Sequence, residues 1–445
     1  MSNDIKLEKI PTPYSILRNP YLSWADVFMC YMFPYLWDAS PLNRDLDPKT
    51  ADAAEKLAKI RKVLEDMPRG FMGKAAVKKW SDATGGSRLA EYNGEIPFQK
   101  NILKDWNILS TADNDKILPV SMVTREIVKV MVRFPSELLS DEQRENAEIL
   151  DYSGCLEVKE LDLKSFAVDV PILVQFHGGG QIMGVSQGLE LLDDVPQLVR
   201  LYAEEHETAP PNVITVSVDY GLAPEHPFPT AIMDCLSVIE YFLAGTRKRK
   251  LHLMGMSAGA YLSLVAGMEA YRKYPGRILS IESQCPMVTP SCDSMSFYMN
   301  QKAIPTAEML RWSWRAVLGL DAPEKPSDKT PTTVKEAFRA GSNYTAWNEW
   351  KVKQSEPLQR LADPLLGLPD GLDKNAAPMI IVRVNKGDPL HDEGKELVDL
   401  LEKKNANVTF FSDSGLHCNI GGVHDADGHK QLMMTWSNIV FGSSQ

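Results

Sequence analysis

The chain has 445 residues, 44% of them hydrophobic and 24% charged, a balance that suits a globular protein of one enlarged domain or two. Its 48 basic and 59 acidic residues leave a formal charge of −11, a field that repels a phosphate backbone and excludes nucleic acid as an expected partner. The six cysteines (Cys30, Cys155, Cys235, Cys285, Cys292, Cys418) form no CxxC pair and no tight cluster in sequence, so reduced thiols in a cytoplasmic protein are predicted rather than a disulfide framework or zinc site.

The opening residues, Met1 to Lys6, lack a basic segment followed by an apolar one, and no secretory signal is expected. Val27 to Trp37 is the most apolar stretch, yet it is interrupted by Pro34, bounded by Asp26 and Asp38, and well short of the roughly 18–20 residues that span a bilayer. Its aromatic residues Phe28, Tyr31, Phe33, Tyr35 and Trp37 suit a lid over an acyl pocket, with peripheral contact to a membrane surface as the alternative. From Thr50 to Glu65 apolar residues (Ala54, Leu57, Ile60, Leu64) recur at helical spacing. Residues 1–120 are therefore expected to be a mostly helical extension that serves as a cap.

A catalytic domain is expected over residues 121–445. Met122 to Phe134 and Leu156 to Leu163 alternate as half-buried antiparallel strands do. After Asp169 the runs Pro171 to His177, Asn212 to Asp219, Leu251 to Met256, Ile278 to Gln284 and Met379 to Asn385 are short and mostly apolar, and helix-length segments separate most of them. Such strands need crossovers, which gives an α/β fold with a mostly parallel sheet between helices. The basic cluster Arg247 to Lys250 is read as a solvated turn. Between Thr289 and Asn375 the alternation lapses into a segment rich in Trp, Met and Pro, expected to be a cap insertion (289–375) after the sixth strand.

Gly255, Met256, Ser257, Ala258 and Gly259 form a G-x-S-x-G sequence between the apolar run Leu251 to Met254 and the helical stretch Ala260 to Tyr271. A sharp strand-to-helix turn there strains the serine backbone, tolerates only small residues two positions away, and presents the hydroxyl at a helix N-terminus. His177, Gly178, Gly179 and Gly180 close the run Pro171 to Phe176, and consecutive glycines let backbone N–H groups approach a developing oxyanion. No G-x-G-x-x-G or G-K-[ST] supports a nucleotide reading instead. A serine hydroxyl needs a base, and the base an acid that fixes its tautomer. Asp388, in the turn after Met379 to Val384, and His417, after the β-rich run Val408 to Phe411, follow the serine in the required chain order. His424 is the second candidate base, with His391 and His429 as further rivals. His206, His226 and His252 have no partners at metal-ligand spacing, so no metal and no cofactor are expected.

With HGGG at 177–180, DYGLAPEHPFP at 219–229, GMSAG at 255–259 and GDPLHDEG at 387–394, the sequence resembles the hormone-sensitive-lipase-like family of α/β-hydrolases from about residue 122 onward. The resemblance implies the α/β-hydrolase fold, Ser257 as nucleophile, Asp388 as acid, His417 as base, and the backbone of Gly179, Gly180 and Ala258 as oxyanion hole. It also implies structural roles for Asp219, Tyr220 and Glu225. The sequence departs from the family pattern at Met256, where Asp is common, at Ala260, where Gly is common, and at His391, where Arg is common. None of these removes a reacting group. The expected activity is cleavage of a small, apolar carboxylic ester through an acyl-enzyme. A lactonase, thioesterase, acyltransferase or cyclising hydrolase would use the same triad. A receptor that has lost its base is the non-enzymatic alternative, and retention of His417 argues against it.

Overall fold

The computed structural model describes residues 10–37, 46–66, 71–110, 125–150, 154–184, 186, 191–245, 248–322, 331–369, 372–373, 375–420 and 422–442. Ten strands form one sheet: β1 (Leu89–Pro97), β2 (Ile127–Pro135), β3 (Glu148–Ile149), β4 (Leu156–Glu157), β5 (Ile172–Phe176), β6 (Ile214–Asp219), β7 (Leu251–Met256), β8 (Ile278–Gln284), β9 (Met379–Asn385) and β10 (Val408–Asp413). Their spatial order is β10-β9-β8-β7-β5-β6-β2-β1-β4-β3. Every pair from β10 to β6 is parallel, whereas β2 joins β6, and β1 joins β2, in antiparallel fashion.

The parallel strands are mostly apolar on both faces because both faces are covered. In β5, Ile172, Val174 and Phe176 point into one core, and Leu173 into the other. The first core is closed by α5 (Thr230–Leu243), α6 (Ala258–Lys273) and α9 (His391–Lys403), through residues such as Leu236, Leu262 and Leu397. The second is closed by α3 (Phe71–Ala83), α4 (Leu191–His206) and α10 (Ala426–Gly442), through Trp80, Leu198 and Trp436. Each such side chain removed from water contributes roughly 1.5–3 kcal/mol.

Two helices of the N-terminal part are α1 (Trp24–Trp37) and α2 (Ala51–Asp66). Residues 89–97, inside the segment expected to be mostly helical, form β1, whose nine-residue ladder with β2 extends the sheet. The expected strand Leu156 to Leu163 is reduced to two residues beside the edge strand β3. With β1 and β3 added, the Trp-rich insertion follows the eighth strand in the chain, not the sixth. It contains α7 (Ala307–Leu318) and α8 (Tyr344–Val352) besides shorter helices. α7 is delimited by Thr306, whose side chain accepts the Met309 N–H, and by Gly319 in the left-handed conformation.

The solvated-turn reading of the basic cluster needs correction at Arg249, while Arg247 lies outside the described residues. Arg249 is buried and its guanidinium donates to the carbonyls of Phe166, Lys164 and Ala167, so it ties a loop to the sheet while Lys248 and Lys250 stay exposed. Among the described residues, no helix is long and apolar enough to cross a membrane.

Candidate active site

Ser257 ends the turn from β7 into α6 with φ 58° and ψ −116°, a conformation that costs a non-glycine residue on the order of 1–3 kcal/mol. Its surroundings impose it. The Ser257 N–H donates to the Gln284 carbonyl at 2.7 Å, and the Ser257 carbonyl accepts from Met287 at 3.3 Å. A Cβ on Gly255 would lie 2.1 Å from the Gly259 carbonyl oxygen, and one on Gly259 would lie 1.8 Å from that of Phe176. The two glycines of the pentapeptide thus let β7, β5 and α6 converge around the hydroxyl.

The glycine-rich loop leaves the C-terminal end of β5, the strand between β6 and β7. Gly179 (φ 100°) and Gly180 (φ 65°) lie in the left-handed region, and a Cβ on Gly180 would meet Ser313 Oγ of α7 at 2.5 Å. Among the described residues, the N–H groups of Gly179 and Gly180 donate to no protein acceptor. Ala258 opens α6, where the first N–H groups have no partner within the helix.

The DYGLAPEHPFP segment holds this loop. Tyr220 stacks on His177 with ring centroids 4.1 Å apart and donates its hydroxyl to the His177 carbonyl at 2.7 Å. Asp234 accepts the Gly221 N–H at 2.7 Å and pairs with Arg125 at 2.9 Å. Burial raises the Asp234 carboxyl to about 7, with Arg125 and Gly221 opposing. Arg61 of α2 was not singled out from sequence. It donates to the Ile182 carbonyl just past the glycines (2.8 Å), to the Ala223 carbonyl (2.9 Å), and as a fork to Glu225 (2.9 and 3.0 Å). Its only sequence signal was a cationic residue on a helix otherwise read by its apolar face.

His417 Nδ1–H donates to Asp388 Oδ2 at 2.6 Å, and both side chains are buried. Asp388 Oδ1 accepts the Leu390 N–H at 3.0 Å, and the Asp388 carbonyl accepts Asn300 Nδ2–H at 3.2 Å. Asn300 in turn accepts from Asn19 at 2.9 Å, so the N-terminal segment and the insertion meet behind Asp388. Burial alone would lower the His417 imidazole, but the Asp388 carboxylate and the Cys285 thiol together raise it above its usual range. Ser257 and His417 meet the same segment: Ser257 binds Gln284, and the next residue, Cys285, lies beside His417.

The rival histidines are engaged elsewhere. His424 Nε2 contacts Asp26 of α1 at 3.0 Å, and His391 Nδ1 contacts Asp392 at 2.9 Å. His429 is buried against Phe411. A cavity of about 660 Å³ lies between Pro224–Pro229, the end of α7 and Trp350, and none of Ser257, Asp388 and His417 lines it.

Residues 173–330 match the sequence model of a family described as having the alpha/beta hydrolase fold. The chain is 35% identical over 103 residues to Carboxylesterase NlhH of Mycobacterium tuberculosis, a match covering 22% of this chain and 28% of that protein. It is 30% identical over 122 residues to an arylesterase of Saccharolobus solfataricus, covering 26% of this chain and 35% of that one. These matches span only about a third of each relative. Among solved structures, esterase LipW from Mycobacterium marinum aligns over 98% of both chains with a TM-score of 0.55 at 16% identity. A thermostable esterase from Pseudomonas putida aligns over 96% of this chain and 99% of that one, with a TM-score of 0.54 at 17% identity. The fold is that of the α/β-hydrolases. HGGG, DYGLAPEHPFP and GMSAG stand in the order found in the hormone-sensitive-lipase-like family, which the chain resembles.

Proposed function

We propose that the protein is a serine hydrolase that cleaves a small carboxylic ester. Asp388 holds His417 with Nε2 free to accept the Ser257 proton as the hydroxyl attacks the carbonyl. The N–H groups of Gly179, Gly180 and Ala258 stabilise the tetrahedral oxyanion, His417 returns the proton to the departing alcohol, and water resolves the acyl-enzyme by the same route. No cofactor enters this cycle. The observation that carries the reading is the 2.6 Å His417–Asp388 hydrogen bond beside the segment that also binds the strained Ser257. The similar proteins named above are a carboxylesterase, an arylesterase and two esterases, which favours water over another acyl acceptor.

The aromatic helix α1 and the Trp-rich insertion support an apolar acyl or alcohol group, with α1 and residues 289–375 forming the cap over a catalytic domain that also takes in α3 and β1. The six cysteines are all free thiols, which supports a reducing, cytoplasmic location. The test is Ser257→Ala assayed on short p-nitrophenyl esters beside the parent, together with labelling by a fluorophosphonate probe. Loss of both turnover and labelling is expected. Equal turnover in the two proteins ends the proposal.

A further inference from the structure

Cys285 follows β8, and Cys418 adjoins His417 after β10, so sequence keeps them 133 residues apart. The fold brings both sulfurs and a ring nitrogen of His417 to within 4.8 Å of one another, the one such group among the described residues. Two backbone turns aim them. Cys285 (φ 48°) and Cys418 (φ 51°) both occupy the left-handed region that non-glycine residues avoid. The Cys285 N–H is fixed to the Arg383 carbonyl at 2.7 Å, and the Cys418 N–H donates to Cys285 Sγ at 3.3 Å.

We propose that Cys285, His417 and Cys418 form a binding site for a thiophilic divalent cation of the zinc class, and that its occupation withdraws His417 from catalysis. Two thiolates and an imidazole are the protein ligands of one class of four-coordinate zinc site, with water in the fourth position. Zinc–ligand bonds of about 2.0–2.3 Å require ligand atoms roughly 3.5–3.8 Å apart, so from separations of at most 4.8 Å the side chains close by about 1.3 Å or less. The Nδ1 proton of His417 is held by Asp388, leaving the Nε2 lone pair for the cation, and a carboxylate behind a metal-bound histidine is the usual second shell. Binding transfers the two thiol protons to solvent and leaves the metal's oxidation state unchanged. Cys418 is only partly buried and gives the entry path.

The inhibitory half rests on His417 being the base, whereas the site itself does not. The test adds Co²⁺ to the full chain, kept reduced under argon, and then measures inhibition of ester turnover by Zn²⁺. One equivalent of cobalt should give sulfur-to-cobalt charge-transfer absorption and the visible bands of a tetrahedral ion. Both signals should be lost in Cys285→Ala and in Cys418→Ser. Zinc should inhibit the parent reversibly, with EDTA restoring turnover. In Cys418→Ser, with inhibition measured relative to that variant's own zinc-free turnover, the half-inhibitory zinc concentration should rise by about 100-fold or more, since even outer-shell changes cost 10–100-fold. Absence of thiolate–cobalt absorption in the parent overturns the site, whatever the esterase assay gives. Cobalt absorption accompanied by undiminished turnover in zinc overturns the inhibition.

Discussion

Arg61 offers the sharpest test of how the anion cradle is held, because it reaches that cradle from outside the sheet. Its fork with Glu225 is an ion pair whose carboxylate side chain is 47% exposed, so that part contributes at most about 1 kcal/mol. The bonds to the Ile182 and Ala223 carbonyls are less solvated, at about 1 kcal/mol each. Arg61→Ala therefore removes about 2–3 kcal/mol from the contacts that fix the glycine loop. If all of it serves to position Gly179 and Gly180, the loss corresponds to about 30–150-fold in kcat/KM. The fall should appear in kcat with KM little changed, since an oxyanion contact is made in the transition state. Glu225→Gln is the control: it weakens only the exposed pair and should cost less than about fivefold. The assay is steady-state hydrolysis of a p-nitrophenyl ester, with circular dichroism to show that each variant is folded. Turnover of folded Arg61→Ala within twofold of the parent, or an equal loss in Glu225→Gln, would refute the clamp.

Replacing Asp388 by Asn should leave the fold intact and reduce kcat by about 10⁴-fold, since the amide favours the wrong tautomer of His417; single-turnover kinetics measure this, and a loss below tenfold would contradict the role of Asp388. His417 must be neutral to accept a proton, and its pKa is raised by Asp388 and Cys285 against burial, so kcat/KM should climb towards alkaline pH as the imidazolium deprotonates. Cys285→Ala removes one of the raising influences and should move that acid limb to lower pH; a pH–rate profile shifted the other way, or not at all, rejects this reading. Arg383, buried in β9, binds Glu282 and Asp194 at 2.6 Å each. Arg383→Met leaves two carboxylates without their cation and should destabilise the protein by about 3–5 kcal/mol, read from denaturant unfolding, while Glu282→Gln should cost less.

The sheet was legible from sequence where strands are buried on both faces. Ile172–Phe176, Ile214–Asp219 and Leu251–Met256 are short, mostly apolar runs bounded by turns, and their predicted limits lie within two residues of the observed ones. β1 was missed because Glu91, Asn93 and Glu95 interrupt its apolar positions, and only the ladder with β2 makes it a strand. The strained serine turn, the glycine loop and the acid turn were legible because each has a local steric or hydrogen-bonding requirement. Arg249 was misread because charge in sequence does not reveal the ring of carbonyls that a loop 80 residues earlier presents to it. The Cys285–His417–Cys418 cluster lay beyond sequence reading for a related reason: its members follow β8 and β10, and only the sheet order, which sets those strands on either side of β9, brings them together.

The N-terminal residues show the same limit most clearly, since no motif covers them and yet they reach both halves of the site. Arg61 holds the loop that presents Gly179 and Gly180. Asn19 reaches the acid turn through Asn300, the Tyr21 carbonyl accepts the Gly415 N–H at 2.7 Å two residues before His417, and Asp26 holds His424 beyond it. A sheet fixes the strand ends to within a hydrogen bond, but the loops that leave those ends carry the reacting groups, and a loop alone has many conformations of similar energy. Contacts from a separate segment select one of them. The selecting side chains are an arginine, an asparagine and an aspartate, which bind the exposed carbonyls and side-chain polar groups of turns, beside an apolar cluster in which Ile16, Leu22, Met29 and Cys30 pack with Leu416.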